Sequence, residues 1–358
     1  MFLAIEEMRQ NKLRYGLILG LLILIAYLVF FLTGLAYGLM QENRTAVDKW
    51  QADYVLLNSE SNRLITASKI DTALLDQVDA GDKALIRQQV GVAYVDENAS
   101  SDEKEKVNIF AVESDSFIVP NIVEGRLYEK TGEVLVDKTL SEVEGFELGD
   151  EVYLSGTDEK VTIVGYTDNA YFGVAPVVYM DFTAFAELMQ ADKQQAATSN
   201  LASAIVVRGD VASLPNELEK VAIADFIENL PGYKAQNMTF GFMIGFLIVI
   251  SAIVIGIFIF VLTTQKSPIF GLMKIKGLSN GYISGSVLAQ TFLLAGVGTV
   301  LGLAGTYLSS LVLPSAVPFE NNWTFYIAIG LALVVFALLG ASFSVGSIFK
   351  VDPLQNLS

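Results

Sequence analysis

Tyr15–Met40 reads YGLILGLLILIAYLVFFLTGLAYGLM, twenty-six residues without a charged side chain. As a helix rising 1.5 Å per residue, this run is longer than the ~30 Å hydrocarbon core of a bilayer. A helix buried inside a soluble protein rarely stays uncharged for so long, so the run reads as a membrane span. Thr239–Thr264, Tyr282–Ala316 and Trp323–Phe349 repeat the pattern. Composition agrees: the chain is 53% hydrophobic and 17% charged, whereas soluble domains carry about 25% charged residues. The first run is too long for a signal-peptide core of about 7–15 residues and lacks an Ala-x-Ala end, so it is expected to persist as a helix.

The charges between these runs give the expected orientation. Residues 41–235 hold 35 acidic and 16 basic residues, a net −19, while the rest of the chain nets +3. The seven basic residues outside the central segment are Arg9, Lys12, Arg14, Lys266, Lys274, Lys276 and Lys350. They lie before the first run, between the second and third, and after the fourth. By the positive-inside bias, both termini and the Lys266–Lys276 loop are expected in the cytoplasm. The expected fold is an integral membrane protein with four transmembrane α-helices and an α+β extracytoplasmic domain between helices 1 and 2. In segments this is 1–14 a cytoplasmic amphipathic helix, 15–40 the first span and 41–235 the outer domain. Then come 239–264 the second span, 265–281 a cytoplasmic loop, 282–316 the third span, 317–322 an outer loop, 323–349 the fourth span and 350–358 a cytoplasmic tail.

Within the outer domain, β-branched and aromatic runs predict strands at Tyr54–Leu57, Val92–Val95, Val107–Val112, Glu133–Val136, Val152–Leu154, Val161–Val164, Val177–Met180 and Ala204–Val207. Helices are expected at Thr72–Val78, Thr183–Met189 and Leu214–Val221, the last capped by Ser213 with Pro215 in its first turn. Ala99–Lys106 is polar and reads as a solvated loop. A second subregion is expected near Gln194–Gly232.

The inner loop Gln265–Gly277 carries its own punctuation. Ser267 is placed to cap a short helix, Pro268 to open it and Gly277 to close it. Lys274 and Lys276 fall near its C-terminus, where the helix dipole favours cations. Ile269, Leu272 and Met273 share one face, so a docking element is expected. Several chemistries are excluded. The chain has no Cys and no His, and it has no Gly-x-x-x-x-Gly-Lys-[Ser/Thr] phosphate loop. No nucleophile–base pair or metal cluster is visible, so the chain is expected to be non-catalytic, with no catalytic residue and no resident metal.

These residues resemble the FtsX-like, MacB-like permeases of ABC transporters. Ile269-Phe-Gly-Leu-Met-Lys-Ile-Lys-Gly-Leu-Ser279 resembles the family's inner-loop stretch, although Ile269 stands where an acidic residue is usual. Phe349-Lys-Val-Asp-Pro-Leu-Gln355 resembles its terminal motif. Glu147-Leu-Gly-Asp-Glu-Val-Tyr153, followed by Val161-Thr-Ile-Val-Gly165, resembles its outer strand pair. Met1-Phe-Leu-Ala4, Gln10–Gly16, Phe31–Leu39, Val47–Asp53, Gly281–Ser284 and Val287–Phe292 look most like haem-exporting permeases of Gram-positive bacteria. The resemblance implies a homodimer working with two cytoplasmic ATPase subunits that bind ATP and Mg. The coupling residues would be Ser267, Pro268, Gly271, Lys274, Lys276 and Gly277. It implies no permanently bound cofactor, membrane lipid as surroundings, no nucleic acid, and haem as a cargo. The alternatives are a mechanotransmitter that regulates a cell-wall hydrolase, or extraction of lipids or lipoproteins.

The four runs hold no charge, so a polar-solute channel is disfavoured and a lipophilic cargo is favoured. Tyr, Met and carboxylate are then the side chains left to meet haem iron. The candidates near the outer membrane boundary are Tyr37, Met40, Glu42, Tyr233 and Met238, with Tyr166 and Tyr171 in a loop expected to face the membrane. For each, the plainer role of interfacial anchor or packing filler competes. Lys234 is a candidate partner for cargo carboxylates. Gly298 and Gly302 form a Gly-x-x-x-Gly pair, expected to serve packing within the chain rather than a dimer seam.

Overall fold

A computed structural model describes residues 9, 12–96, 100, 103–157, 159–189 and 200–349. The chain divides into a helical unit, formed by the segments up to Gly38 and from Met238 onward, and a second unit, Leu39–Asn237. Most of the N-terminal amphipathic segment, the tail from Lys350 and residues 99, 101 and 102 of the expected loop lie outside the described residues, and the end of that loop, Glu105–Lys106, is instead the start of a strand.

Five helices organise the first unit: α1 Lys12–Gln41, α2 Tyr233–Gln265, α3 Ser267–Ile275, α4 Asn280–Ser310 and α5 Trp323–Phe349. All but α3 are long and apolar enough to cross a membrane. Outward-facing Phe242, Phe246, Ile250, Ile253 and Ile257 leave α2 with an apolar exterior suited to lipid. Hydroxyls inside the spans turn back on their own helices: Thr33, Thr263, Thr291 and Thr306 each donate to the carbonyl four residues earlier. That satisfies a polar group where no water reaches. The helix α4 ends at Ser310, short of the expected Ala316, because Leu311–Asn322 turns and carries Pro314 and Pro318.

Small residues let these helices approach. A Cβ on Gly302 would stand 2.6 Å from Ala26 Cβ, and one on Gly298 would stand 2.8 Å from Leu22 Cβ. The Gly-x-x-x-Gly pair therefore packs α4 on α1 within one chain. Gly256 of α2 meets Gly340 of α5 in the same way.

The second unit is built on an eleven-stranded sheet. Its strands and a separate small pair are β1 Tyr54–Asn58, β2 Ile70–Asp71, β3 Asp79–Tyr94, β4 Glu105–Ala111, β5 Glu124–Gly125, β6 Glu133–Asp137, β7 Glu151–Leu154, β8 Lys160–Thr167, β9 Tyr171–Phe172, β10 Ala175–Met180, β11 Leu201–Ala202, β12 Ala204–Ser213 and β13 Leu218–Ala222. The main order is β13-β1-β12-β3-β4-β10-β6-β8-β5, with β7 beside β3 and β8, and β2 paired with β11 alone. The sixteen-residue β3 joins two halves: Asp79–Ile86 pairs with β12, and Arg87–Ala93 pairs with β4. Both faces are covered. Leu56, Ile109, Val134, Val136 and Val178 enter one core, whereas Val55, Leu57, Phe110, Leu135, Val177 and Tyr179 enter the other. Burial on both faces explains why these strands read as continuous apolar runs rather than alternating ones.

All eight expected strand positions carry strands. The expected helix Leu214–Val221 does not form. Ser213 ends β12, and Leu218–Ala222 is β13, pairing in antiparallel register with β1 from Tyr54↔Ala222 to Asn58↔Leu218. Sheet pairing overrides the local helix-start signal of Ser213 and Pro215. The helix of this region follows instead, at Ile223–Glu228. Thr72–Gln77 winds as a 3₁₀ turn, with the Asp71 carboxylate accepting from Ala73 N–H. The segment expected as a second subregion supplies β12 and β13 to the main sheet, so it is not a separate body.

Candidate functional site

The chain leaves α1 at Gln41 and immediately presents Glu42, half-buried. The turn after β9 packs against this point: Gly173 N–H donates to the Asn43 carbonyl at 3.1 Å, and Val174 N–H donates to the Glu42 carbonyl at 3.2 Å. Tyr171 follows, its N–H on Thr45 Oγ1 at 3.0 Å and its hydroxyl donating to Thr139 Oγ1 at 2.7 Å. The hydroxyl of Thr139 in turn donates to Asp137, which is fully buried at the end of β6. The Asp137 carboxylate also accepts from Thr139 N–H at 2.9 Å and Ala170 N–H at 2.6 Å. Topology thus gathers Glu42, Asp137, Thr139 and Tyr171 from three separate stretches.

The electrostatics of this cluster follow from burial. Burial first, and the Asp137 charge second, raise the Glu42 acid to about 7. Burial also pushes the Tyr171 phenol up to about 12, with Asp137, Glu42 and Glu105 adding to it against the Thr139 hydrogen bond. Removing a proton here would add negative charge where solvation is already poor. Glu42 therefore changes protonation near neutrality, while Tyr171 stays a neutral phenol.

A second feature of this unit is a cavity of about 330 Å³ lined by Arg44, Asp48, Glu228, Tyr233 and Asn237 among others. Arg44 grips Asp48 with Nε at 2.8 Å and Nη2 at 2.5 Å. That ion pair holds its guanidinium above the usual arginine range. Asn237 Oδ1 is buried without a hydrogen-bond partner. Nearby, Asn43 Nδ2 bridges Leu39 O and Gln236 Oε1, both at 2.9 Å.

The expected cargo ligands therefore separate. Glu42 and Tyr171 belong to one cluster, and Tyr233, buried at the start of α2, lines the cavity. Tyr166 does not lie in an open loop. It sits inside β8, 3% exposed, with its hydroxyl on Phe146 O at 2.6 Å, so its phenol is committed to the core. In the helical unit, Tyr37 packs edge-on against Phe325 with ring centroids 5.6 Å apart, and Met238 is exposed on α2. Met40 is half-buried at the end of α1, and Lys234 is exposed. Among the described residues, no three carboxylates converge as a metal site.

At the other locus, α3 begins one residue earlier than its capping signal implied. Lys266 occupies the N-cap position, no side chain caps the helix, and Ser267 and Pro268 form its first turn. Its end is a Schellman turn: Gly277 takes φ +86° and donates to Lys274 O, and Leu278 N–H reaches back to Met273 O at 3.1 Å. Phe270 is buried against Ile283 and Val287 of α4, with Met273 packed alongside and Gly271 buried. Ile269, Leu272 and Ile275 are exposed on α3, as are Pro268 and Lys276, and Lys274 is half-buried. The face split differs from the expected one: Met273 faces inward, and Ile275 joins the outward apolar row.

Sequence reading missed the residue before this helix. Lys266 is 4% exposed. Its amine donates to Tyr15 Oη and to Gln290 Oε1, the latter at 2.9 Å, and lies over the Tyr15 ring 5.0 Å from the centroid. Tyr15 Oη also donates to Gln290 Oε1 at 3.3 Å. A lysine at a helix end ordinarily snorkels to water, and nothing local in the sequence marks this one as buried.

The chain is similar to several known proteins. Residues 241–353 match the family described as FtsX-like permease C-terminal. Proteins named hemin transport system permease HrtB align over nearly the whole chain. One from Staphylococcus epidermidis is 25% identical, covering 99% of this chain and 98% of its own. One from Staphylococcus haemolyticus is 23% identical at the same coverage. Among solved structures, the extracellular domain of the noncanonic ABC-type transporter YknZ from Gram-positive bacteria matches at TM-score 0.31 and 18% identity, covering 44% of this chain and 84% of that one. The periplasmic region of MacB from Actinobacillus actinomycetemcomitans matches at TM-score 0.35 and 11% identity, covering 52% and 97%. Residues 241–353 are thus similar to the C-terminal domain of FtsX-like permeases.

Proposed function

We propose that this FtsX-like permease is the membrane subunit of an ABC-type efflux transporter that expels haem, driven by ATP hydrolysis on a cytoplasmic partner. The observation that carries the proposal is the end-to-end alignment with staphylococcal proteins named for hemin transport. The spans support it, because no charged side chain marks a polar path through them. In this reading both termini and α3 face the cytoplasm, following the basic residues. The exposed row Ile269, Leu272 and Ile275 receives the ATPase, and two copies of the chain work together.

Haem would meet the outer domain where it leaves and re-enters the membrane. Glu42 offers a carboxylate oxygen, which suits ferric iron better than the thioether of Met40 or Met238, and Tyr171 stands beside it as a neutral phenol. Lys234, exposed at the start of α2, would recognise a carboxylate of the cargo. Tyr166 is withdrawn as a ligand by its place in the core.

Purified protein titrated with haemin tests this. The expected result is a saturable Soret shift, weakened at least tenfold by the double substitution Glu42→Gln with Tyr171→Phe. Absence of a saturable shift overturns haem as the cargo. In cells, loss of the chain should sensitise growth to haemin. Unchanged tolerance combined with chained cells would favour regulation of a cell-wall hydrolase instead.

A further inference from the structure

The inner ends of three spans meet on one buried amine. Lys266 is the residue between α2 and α3, with no loop to separate them. Its amine bonds Tyr15 in the first turns of α1 and Gln290 in the second turn-pair of α4. Tyr15 and Gln290 are themselves buried and bonded to each other. The space beside this triad is closed down to a cavity of about 10 Å³, lined also by Thr263, Thr291 and Leu294. That is room for about one water. An ammonium can make three hydrogen bonds and gains further from an aromatic face. Taking it out of water is worthwhile only where its partners are held in place.

We propose that Lys266 is the positioning residue of the coupling helix. It fastens the start of α3 to α1 and α4, so that a displacement of α3 moves three spans together rather than bending the α2–α3 junction. The packing of Phe270 on Ile283 and Val287 holds the body of α3 to α4, but it does not reach α1. Only the lysine triad makes that connection among the contacts described above. The proposal rests on the permease reading for the meaning of α3, and its geometric content stands apart from the identity of the cargo.

The chain contains no cysteine, so paired labels can be introduced without a background. Spin labels at Leu13→Cys and Leu272→Cys, both on exposed positions, report the distance between α1 and α3 in the full-length chain in nanodiscs, without the ATPase that the Leu272 row is proposed to receive. The native residue is expected to give one narrow distribution. Lys266→Met should broaden it, Lys266→Arg should restore most of it, and adding Gln290→Leu to Lys266→Met should broaden it no further. In proteoliposomes, haemin exported per ATP hydrolysed should fall about tenfold in Lys266→Met, the size expected when the tie between two coupled elements is cut. If Lys266→Met does not assemble, Gln290→Leu and Tyr15→Phe carry the same measurement. An unchanged narrow distribution overturns the proposal, as does a broadened one with native export per ATP. If the native complex exports no haemin, the cargo reading fails while the distance measurement still judges the tie.

Discussion

Glu42 and Lys266 each stand one residue beyond the end of a spanning helix, and the chain treats them in opposite ways. Glu42 is half-buried beside a second carboxylate and is raised to about 7. Lys266 is closed off from water and surrounded by oxygen acceptors and a ring face. The acid is placed where it can gain or lose a proton under ordinary conditions. The amine is placed where it cannot easily leave. One end of the bundle thus carries an adjustable group, and the other carries a fastener.

The strongest way to break this contrast is to remove the charge that adds to the effect of burial on Glu42. Asp137→Ala deletes a fully buried acceptor and leaves Thr139 N–H and Ala170 N–H without it. Each orphaned donor costs about 1–3 kcal/mol, so a loss of about 3 kcal/mol is expected. It should be read as a lower Tm, together with a Glu42 titration moved downward. The second test falls on the fastener: Gln290→Leu removes an acceptor from both Lys266 and Tyr15, for about 1–3 kcal/mol. A loss as large for Gln290→Leu as for Asp137→Ala would mean that the two ends are equally costly to disturb.

A smaller effect separates the ends by pH. The folded value of Glu42 lies above the ordinary glutamate value of 4.5, at about 7. Its contribution to stability is therefore full below about pH 4.5 and is lost as pH rises through about 7. Glu42→Gln, which stays neutral, should match the native protein at pH 4 and exceed it at pH 8. Discounted for partial exposure, the gain is on the order of 1 kcal/mol. Melting curves at the two pH values check this. The same ionisation should make haem binding stronger above pH 7 than below it, and Glu42→Gln should flatten that dependence. The smallest stability effect is expected at exposed Leu272: Leu272→Ser should change Tm by less than about 0.5 kcal/mol equivalent, yet weaken co-purification with the ATPase.

What could be read from residues alone divides along the same physical line. The spans were legible because twenty-six uncharged residues have few other places to go, and the outer strands because Val, Ile and aromatic runs fit a sheet buried on both faces. The helix expected at Leu214–Val221 failed because its signal was local. Pro215 and Ser213 describe how a helix starts, whereas the open edge of β1 lies some 160 residues earlier and takes Leu218–Ala222 as a strand. Tyr166 and Tyr171 looked equivalent within one motif, but only the fold sends one into the core and the other to Thr139. Lys266 resembled an ordinary basic flank, since its partner Tyr15 lies 251 positions away.

The bridge from Asn43 to Gln236 closes 193 residues of chain with a single side-chain bond. The segment leaves and returns at nearly the same point, so it meets the requirement for an inserted domain, whose ends lie together and whose interior is free to vary. Residues between these two positions could be excised and joined by a short Gly-Ser link without forcing the adjoining helix ends apart. Conversely, the excised piece joined to itself should fold as a closed unit. Evolution has the same freedom: the excursion can be exchanged for another of different length, provided that its two ends meet.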